Sequence, residues 1–332
     1  MLTDEKQHEL SEIKGLGPVM IEKLAGINIL TVKEFGRATR RELEEIGIKE
    51  GARKMQEQAF ALTGQKLFVT AAELAEERIN ANKLSTGSLE LDAILHGGYE
   101  SGSVTEIVGQ FGSGKTQLGL TAAIIVQLSE MQGGLKANAL ILDTERSVTP
   151  ERMVEIARCR GLDPAEAIKN VIIARARNSD HQDLIMSKAN RIMQENNVKL
   201  LIVDSLIAHF RSEYLGREHL SERQQEINHH LSQISGLAED FEAVAIFTNQ
   251  MIATPDMMFS HVQEKPAGGN IIAHKAQLRL SLRKGPPPVR IARIIDSSFL
   301  PQTEAVFQIT PRGVEDVPDK KKDAKDKPME AA

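Results

Sequence analysis

Gly109-Gln110-Phe111-Gly112-Ser113-Gly114-Lys115-Thr116 is the stretch that decides the fold of this chain. Its spacing, G-x-x-x-x-G-K-[ST], is that of a phosphate loop, whose backbone N–H groups and following helix N-terminus surround phosphates. The alternating run Val104–Val108 predicts a strand before it, and the apolar run Gln117–Leu128 predicts a helix after it. A glycine-rich turn that matches by chance would lack this context, so the segment predicts a nucleoside triphosphate site. Lys115 is expected to reach the β- and γ-phosphates, and Thr116 to ligate Mg²⁺.

Three further apolar runs end in polar residues and predict strands of the same sheet: 139–143, 199–205 and 243–250. Because helical patterns separate them, we expect βαβ units, a mostly parallel sheet and an α/β fold. Asp204 follows four apolar residues, which is the pattern of a Mg²⁺-binding acid. Glu145 is a candidate for the base that deprotonates the attacking water. Gln250 is a candidate for a residue that senses the γ-phosphate. One polar residue at a strand end is more often a helix cap or a turn. Three such strands beside a phosphate loop favour an active site.

Composition and charge exclude several classes of protein. The 332 residues are 41% hydrophobic and 26% charged, and no apolar run reaches the ~18 residues of a membrane span. The polar, acidic N-terminus is unlike a signal peptide, and the single Cys159 cannot form an intrachain disulfide, so we expect a cytoplasmic protein with no membrane partner. The net charge of −5 and the absence of Trp require any DNA-binding groups to be gathered locally.

Residues 1–62 read as a small helical domain. Ile13–Pro18 has the form h-x-G-h-G before a helix, which suits a turn that holds one DNA phosphate, and Ile46–Gly51 is a degenerate second copy. The pair resembles helix-hairpin-helix motifs. The alternative is a structural turn that contacts no ligand.

Residues 63–82 read as a linker, in which Lys66–Ala71 has a strand-like pattern. Phe68 and Ala71 are apolar anchors three residues apart. The linker either packs on its own domain or adds a strand to the sheet of a neighbouring subunit, with Phe68 in a pocket there.

Two segments are candidate binding loops within the main domain, residues 83–316. The first contains Arg211, Arg217 and Arg223, which either meet DNA phosphates or pair with nearby glutamates. The second runs from Met251 to Ala273 and includes Gly268 and Gly269. Residues 277–283, 289–295 and 305–310 predict closing strands, and residues 317–332 a disordered tail.

In order and spacing, a set of segments across nearly the whole chain resembles the archaeal RadA recombinases, relatives of the eukaryotic recombinases and of bacterial RecA. The set is STGSLELD, GQFGSGKTQL, DTERSVTPER, ARARNSDHQ, LLIVDS, FRSEYLGREHLSERQ, TNQ, KPAGGNIIAH and DSSFLPQTEAVF. The resemblance implies a RecA-like core and a DNA-dependent ATPase of DNA repair and homologous recombination. Such a protein forms a helical filament on single-stranded DNA and exchanges strands with homologous duplex DNA.

The resemblance also implies roles for individual residues. Phe68 and Ala71 match the F-x-x-A oligomerisation motif, Glu145 the general base, Arg152 the residue that stacks on adenine, and Gln250 and His274 the γ-phosphate sensors. Arg211, Arg217 and Arg223 match the first DNA-binding loop and the segment with Gly268 and Gly269 the second. Asp296 and Pro301 match the segment that caps ATP from the adjacent protomer. Expected cofactors are ATP and Mg²⁺, with a monovalent cation at the ATP cap as an option, and recombination mediators are further candidate partners.

Two departures from the family pattern bear on activity. Arg146, Ser147, Val148 and Thr149 replace G-T-F-R after the expected base, which puts the hydrolysis rate in question, and Ala267 replaces a larger aliphatic residue. Two other functions stay open: an accessory recombination protein that binds filaments without exchanging strands, and a hexameric motor of the same core fold. Open filaments, rather than only closed rings, would separate the recombinase from the motor.

Overall fold

The structure is a computed structural model that describes residues 9–27, 29–64, 66–216, 218–253, 264–268, 272 and 275–318. Arg217, Gly269, His274 and all but two residues of the predicted tail lie outside the described residues. The chain divides into two compact units, Met1–Asn80 and Ala81–Ala332. Residues 63–80, predicted as a linker, thus belong to the first unit.

The first unit is helical. In its described residues, a 3₁₀ helix, Leu10–Glu12, precedes five α-helices: α1 (Pro18–Gly26), α2 (Val32–Arg37), α3 (Arg40–Glu45), α4 (Ala52–Thr63) and α5 (Ala71–Asn80). Reciprocal capping boxes start α2 at Thr31 and α3 at Thr39. Gly15 and Gly47 adopt the left-handed φ values of 105° and 96° in the two predicted turns, which glycine does without a steric penalty. Phe35, Leu24 and Leu43 are fully buried at the centre of its core.

The strand expected over residues 66–71 is not formed in the single chain. Residues 66–70 pair with no strand among the described residues, and helix α5 begins at Ala71. The helix starts there because Thr70 and Glu73 cap each other: the Glu73 N–H donates to the Thr70 hydroxyl at 3.2 Å, and the Thr70 N–H donates to Glu73 at 2.7 Å. The segment before α5 leaves Phe68 90% exposed.

The second unit is built on a central sheet. Its strands are β1 (Lys83–Leu84), β2 (Tyr99–Glu100), β3 (Val104–Gly109), β4 (Asn138–Asp143), β5 (Val171–Arg175), β6 (Val198–Asp204), β7 (Val244–Ala253), β8 (Glu264–Pro266), β9 (Leu278–Lys284), β10 (Val289–Ser297), β11 (Glu304–Thr310) and β12 (Gly313–Asp316). Its helices are α6 (Leu89–Ile94), α7 (Lys115–Ile125), α8 (Pro150–Cys159), α9 (Pro164–Lys169), α10 (Ser179–Glu195), α11 (Ala208–Glu213) and α12 (Leu220–Asp240), with a 3₁₀ helix at Glu130–Gln132.

The order of the main sheet is β12-β11-β10-β9-β3-β7-β6-β4-β5, with β8 paired to β7, and β1 and β2 form a separate pair. The pairs from β9 through β3 to β5 are parallel, whereas β9 to β12 continue as antiparallel strands. The predicted, mostly parallel α/β sheet is therefore confirmed, and β5 and β12 are strands of its main order that the sequence pattern did not indicate.

Separate apolar clusters cover the two faces of the sheet, so the central strands are buried on both sides. Residues of α7 and α8 contribute to one cluster, and residues of α10 and α12 to the other. In this arrangement β3, β7, β6, β4 and β5 all end at one edge, where the polar strand ends predicted from the sequence come together. Among the described residues, no helix combines the length and the apolar character that a membrane span requires.

Candidate active site

The phosphate loop connects β3 to α7 as predicted. Gly112 and Gly114 adopt left-handed φ values of 73° and 109°, and Gly109 has no room for a side chain, because a Cβ there would lie 2.6 Å from the Leu282 carbonyl oxygen. Helix α7 begins at Lys115, so its free N–H groups face the space above the loop. The buried hydroxyl of Ser113 has no hydrogen-bond partner among the described residues. This geometry fits an anion site that completes its hydrogen bonds when phosphate is bound.

The Lys115 ammonium folds back over the loop and donates to the carbonyl oxygens of Gly109, at 2.8 Å, and Gln110, at 3.1 Å. Partial burial lowers the pKa of Lys115, and the carboxylates of Asp204 and Glu145 oppose that shift. The amine is therefore partly desolvated and is held over the phosphate loop by the two carbonyl oxygens.

Asp204, the acid at the end of β6, accepts hydrogen bonds from three hydroxyl groups. They come from Thr116 at 2.7 Å, Ser147 at 3.0 Å and Thr248 at 2.5 Å. The oxygens of Thr116 and Asp204 thus lie together, as a magnesium site between a protein and a bound nucleotide requires. Ser147 and Thr248 were not predicted as site residues, because isolated hydroxyl residues near strand ends are too common to single out.

Glu145 and Gln250 also meet at this edge of the sheet. The Gln250 side-chain amide donates to Oε1 of Glu145 at 2.9 Å, and the Ser205 hydroxyl donates to the same oxygen at 2.6 Å. On its other side, Gln250 accepts a 3.4 Å hydrogen bond from Arg211. Gln250 therefore links the expected general base to an arginine predicted to bind DNA.

Beneath Gln250, the fully buried Asn249 joins three segments. Its amide donates to Glu106 of β3 at 2.6 Å and to the Ala267 carbonyl at 2.8 Å, and its oxygen accepts from the Gln250 N–H at 2.8 Å. Glu106 is also fully buried and forms an ion pair with Arg279 of β9 at 2.5 Å. The strand that carries the phosphate loop, the backbone of Gln250 and the end of the second loop are thereby held together.

Three residues that were expected to contact the adenine or to cap ATP lie outside the phosphate loop. Arg152 donates to Gln117 at 2.8 Å and to the Thr310 carbonyl at 2.5 Å and also pairs with Glu155, so its contact with an adenine stays a prediction. Asp296 and Pro301 are exposed. Strand β9 pairs its Leu282 with Gly109 of β3 and its Arg279 with Asp296 of β10. Because Leu282 and Arg279 are three residues apart on β9, Asp296 lies roughly 10 Å, measured along the strands, from the phosphate loop of its own chain.

Both predicted DNA loops are shorter than the sequence indicated. Arg211 lies within α11 and Arg223 within α12, where Arg223 donates to the Tyr214 carbonyl at 3.3 Å. These ends are helical because Phe210 and Ile227 pack into the core. Within the second predicted loop, Met251–Ala273, the described residues include a strand pair, with Met251 opposite Pro266. Gly268 adopts a left-handed φ of 92° and lies close to Ile272. Residues 254–263 lie outside the described residues.

Comparison with known proteins relates this site to a family and to a curated relative. Residues 77–317 match the family described as Rad51. Over 324 residues, 96% of this chain and 98% of the relative, the sequence is 41% identical to "DNA repair and recombination protein RadA" of Ignicoccus hospitalis. The family match spans the phosphate loop, both strand-end carboxylates and Gln250.

Proposed function

The chain belongs to the Rad51 family, together with the archaeal RadA recombinases, and on that premise we propose how its residues carry out DNA-dependent ATP hydrolysis in DNA repair and homologous recombination. It acts in the cytoplasm as a helical filament on single-stranded DNA and exchanges strands with homologous duplex DNA. The observation that carries the proposal is the continuous contact from Glu145 through Gln250 to Arg211, because it joins a hydrolytic site to a DNA-binding loop.

In the hydrolytic site, Lys115 and the loop backbone bind the phosphates, while Thr116 and Asp204 hold the metal ion. When bound, ATP with Mg²⁺ supplies the reactive γ-phosphate and the cation that offsets its charge. Ser147 and Thr248 fix the orientation of the Asp204 carboxylate. Glu145 accepts the proton of the attacking water, and Ser205 orients its carboxylate.

Gln250 couples the two ligands. Its amide is held by Glu145 and Arg211 in this structure, so a γ-phosphate or a DNA phosphate that draws away one partner changes the position of the amide. The first and second loops, with Arg211, Arg217, Arg223, Gly268 and Gly269, bind the DNA. Arg152 meets the adenine, and His274 is a second sensor of the γ-phosphate.

Filament assembly uses Phe68 and Ala71 of one protomer and the open sheet edge of the next. Strand β5 ends the sheet, and its Ile172 and Ala174 are half-buried against the same apolar cluster as Ile185 of α10, which supports this edge as the acceptor of an added strand. Asp296 and Pro301 cap the ATP of the neighbouring protomer, with a monovalent cation as an option. Their separation from the phosphate loop of their own chain supports this role.

The first unit contributes a helix-hairpin-helix pair. The positive φ values of Gly15 and Gly47, each in a turn before a helix, support this assignment. The unit gives a supplementary DNA contact rather than strong independent binding, because its charges nearly balance.

The deciding experiment measures ATP hydrolysis with and without single-stranded DNA for the wild type and Lys115→Ala. Stimulation by DNA that is lost in the variant is the expected result. Hydrolysis indifferent to DNA would indicate a motor of the same fold, and ATP-dependent DNA binding without hydrolysis would indicate an accessory protein. Strand exchange by the wild type is the second readout.

A further inference from the structure

A cavity of about 630 Å³ opens at the carboxyl ends of β4 and β5. Its lining is Arg146, Arg175, Ala176, Arg177, Asn178 and His181. Three guanidinium groups and an imidazole thus face one space, and no carboxylate of the described residues lines it. In a chain with a net charge of −5, this is a local concentration of positive charge.

Two of these arginines are free to meet a ligand. Arg146 and Arg177 are exposed, and neither makes an ion pair or a side-chain hydrogen bond within the described part of the chain. Arg175 shares its charge with the buried Asp143, whose Oδ2 lies 3.6 Å from its Nε. The neighbouring Glu145 is already engaged by Ser205 and Gln250.

The backbone at Arg146 adds a separate indication. Its φ is +56°, a left-handed conformation that an L-residue with a Cβ adopts at a cost. The site retains an arginine at a position where glycine would fit without strain. Replacement by glycine would therefore remove a guanidinium group from the cavity without adding backbone strain.

The cavity is separate from the nucleotide site but close to the first DNA loop. Because β7, β6 and β4 lie between β3 and β5, it is roughly 14–19 Å along the sheet edge from the phosphate loop. Glu213, at the end of the helix that carries Arg211, accepts hydrogen bonds from the backbone and hydroxyl of Ser179, next to Asn178 of the cavity. The base of the first loop is thus fixed against the wall of the cavity.

We propose that Arg146, Arg175 and Arg177 form an additional phosphate-binding site for the DNA backbone, continuous with the first DNA loop. Guanidinium groups suit this ligand, since each can donate two parallel hydrogen bonds to a phosphodiester. The site carries no base-reading group beyond Asn178 and His181, so it positions the strand rather than selecting its sequence. This inference rests on the DNA binding proposed above.

The test is fluorescence anisotropy with a labelled single-stranded oligonucleotide, and with its duplex, over a series of salt concentrations. The double variant Arg146→Gly/Arg177→Ala is compared with the wild type and with Lys136→Ala/Arg158→Ala, which removes two other exposed cations of the same unit. The plot of log K against log salt has a negative slope, and loss of two phosphate contacts lowers the magnitude of that slope by about 1.4 for a single strand. Between 50 and 200 mM salt, the double variant therefore loses about sevenfold less affinity than the wild type. The control keeps the wild-type slope.

Arg211→Ala, in the same series, separates the two proposals. If the wild type binds DNA and Arg211→Ala lowers the slope but the double variant does not, the additional site is overturned while the DNA-binding function stands. If the wild type does not bind DNA, the function itself fails. If the double variant binds DNA as the wild type does but no longer self-assembles, the cavity binds an acidic segment of a second copy. If the wild type binds inorganic phosphate saturably and the double variant keeps the wild-type slope for DNA, the cavity is a small-anion site. Either result overturns the proposal.

Discussion

Replacing Phe68 by glutamate tests whether the exposed segment before α5 assembles the filament. The ring is 90% exposed in the single chain, so the free energy of unfolding is expected to change by no more than about 0.5 kcal/mol. In the assembled contact the ring would be buried, and its loss removes about 1.5–3 kcal/mol. A carboxylate buried without a partner adds at least about 2 kcal/mol more. Together these terms weaken each protomer contact by about 300-fold or more.

The assay is electron microscopy of negatively stained protein with single-stranded DNA and a non-hydrolysable ATP analogue, with light scattering to follow assembly in solution. Thermal unfolding followed by circular dichroism checks that the monomer stays folded. Met131→Glu is the matched control, because Met131 is a large apolar residue that is 99% exposed in the second unit. Filaments of normal length with Phe68→Glu, or equal loss with Met131→Glu, would refute the reasoning.

Three further predictions concern catalysis and stability. Glu145→Gln should lower hydrolysis by about 10²–10⁴-fold in single-turnover assays while ATP still binds, because the proton acceptor is lost and the phosphate loop is intact. Burial lowers the pKa of His230 to about 3 from an unfolded value near 6.5, so the stability it provides is complete above pH 6.5 and is lost as pH falls towards 3. Denaturant titrations should therefore show a loss of about 2–3 kcal/mol between pH 6.5 and 4.5 that is smaller in His230→Gln. Arg146→Gly should raise the free energy of unfolding by about 1 kcal/mol in the same titrations, since it removes a side chain from a left-handed backbone.

The sequence predicted the parts of the site that depend on short-range patterns. The phosphate loop needs glycines and a helix start within eight residues, and the parallel strands bring Glu145, Asp204 and Gln250 to one edge once the sheet order is right. The contact between Gln250 and Glu145 follows from that arrangement, although its 2.9 Å distance does not.

Features that depend on tertiary contacts could not be predicted from the sequence alone. Residues 66–71 include residues that favour a strand, but a strand forms only when it pairs with a neighbouring strand. In the single chain, the mutual capping of Thr70 and Glu73 instead starts helix α5 at Ala71. The hydrogen bonds of Ser147 and Thr248 to Asp204 join positions far apart in the sequence. Arg177 could not be predicted as a candidate site residue, because the fold brings it to the same cavity as Arg146 although the two are far apart in the sequence.

The anchoring of Asn249 has a consequence for the speed of signalling. Because its side chain holds the Gln250 N–H, the Ala267 carbonyl and Glu106 at once, the Gln250 backbone cannot shift without breaking buried hydrogen bonds. On the function proposed above, Gln250 is therefore expected to respond to its ligands by rotating its side chain about a fixed Cα. Such rotations take picoseconds to nanoseconds in accessible side chains. Such a rotation is far faster than a typical turnover, so the sensing event is not expected to limit the rate of the cycle.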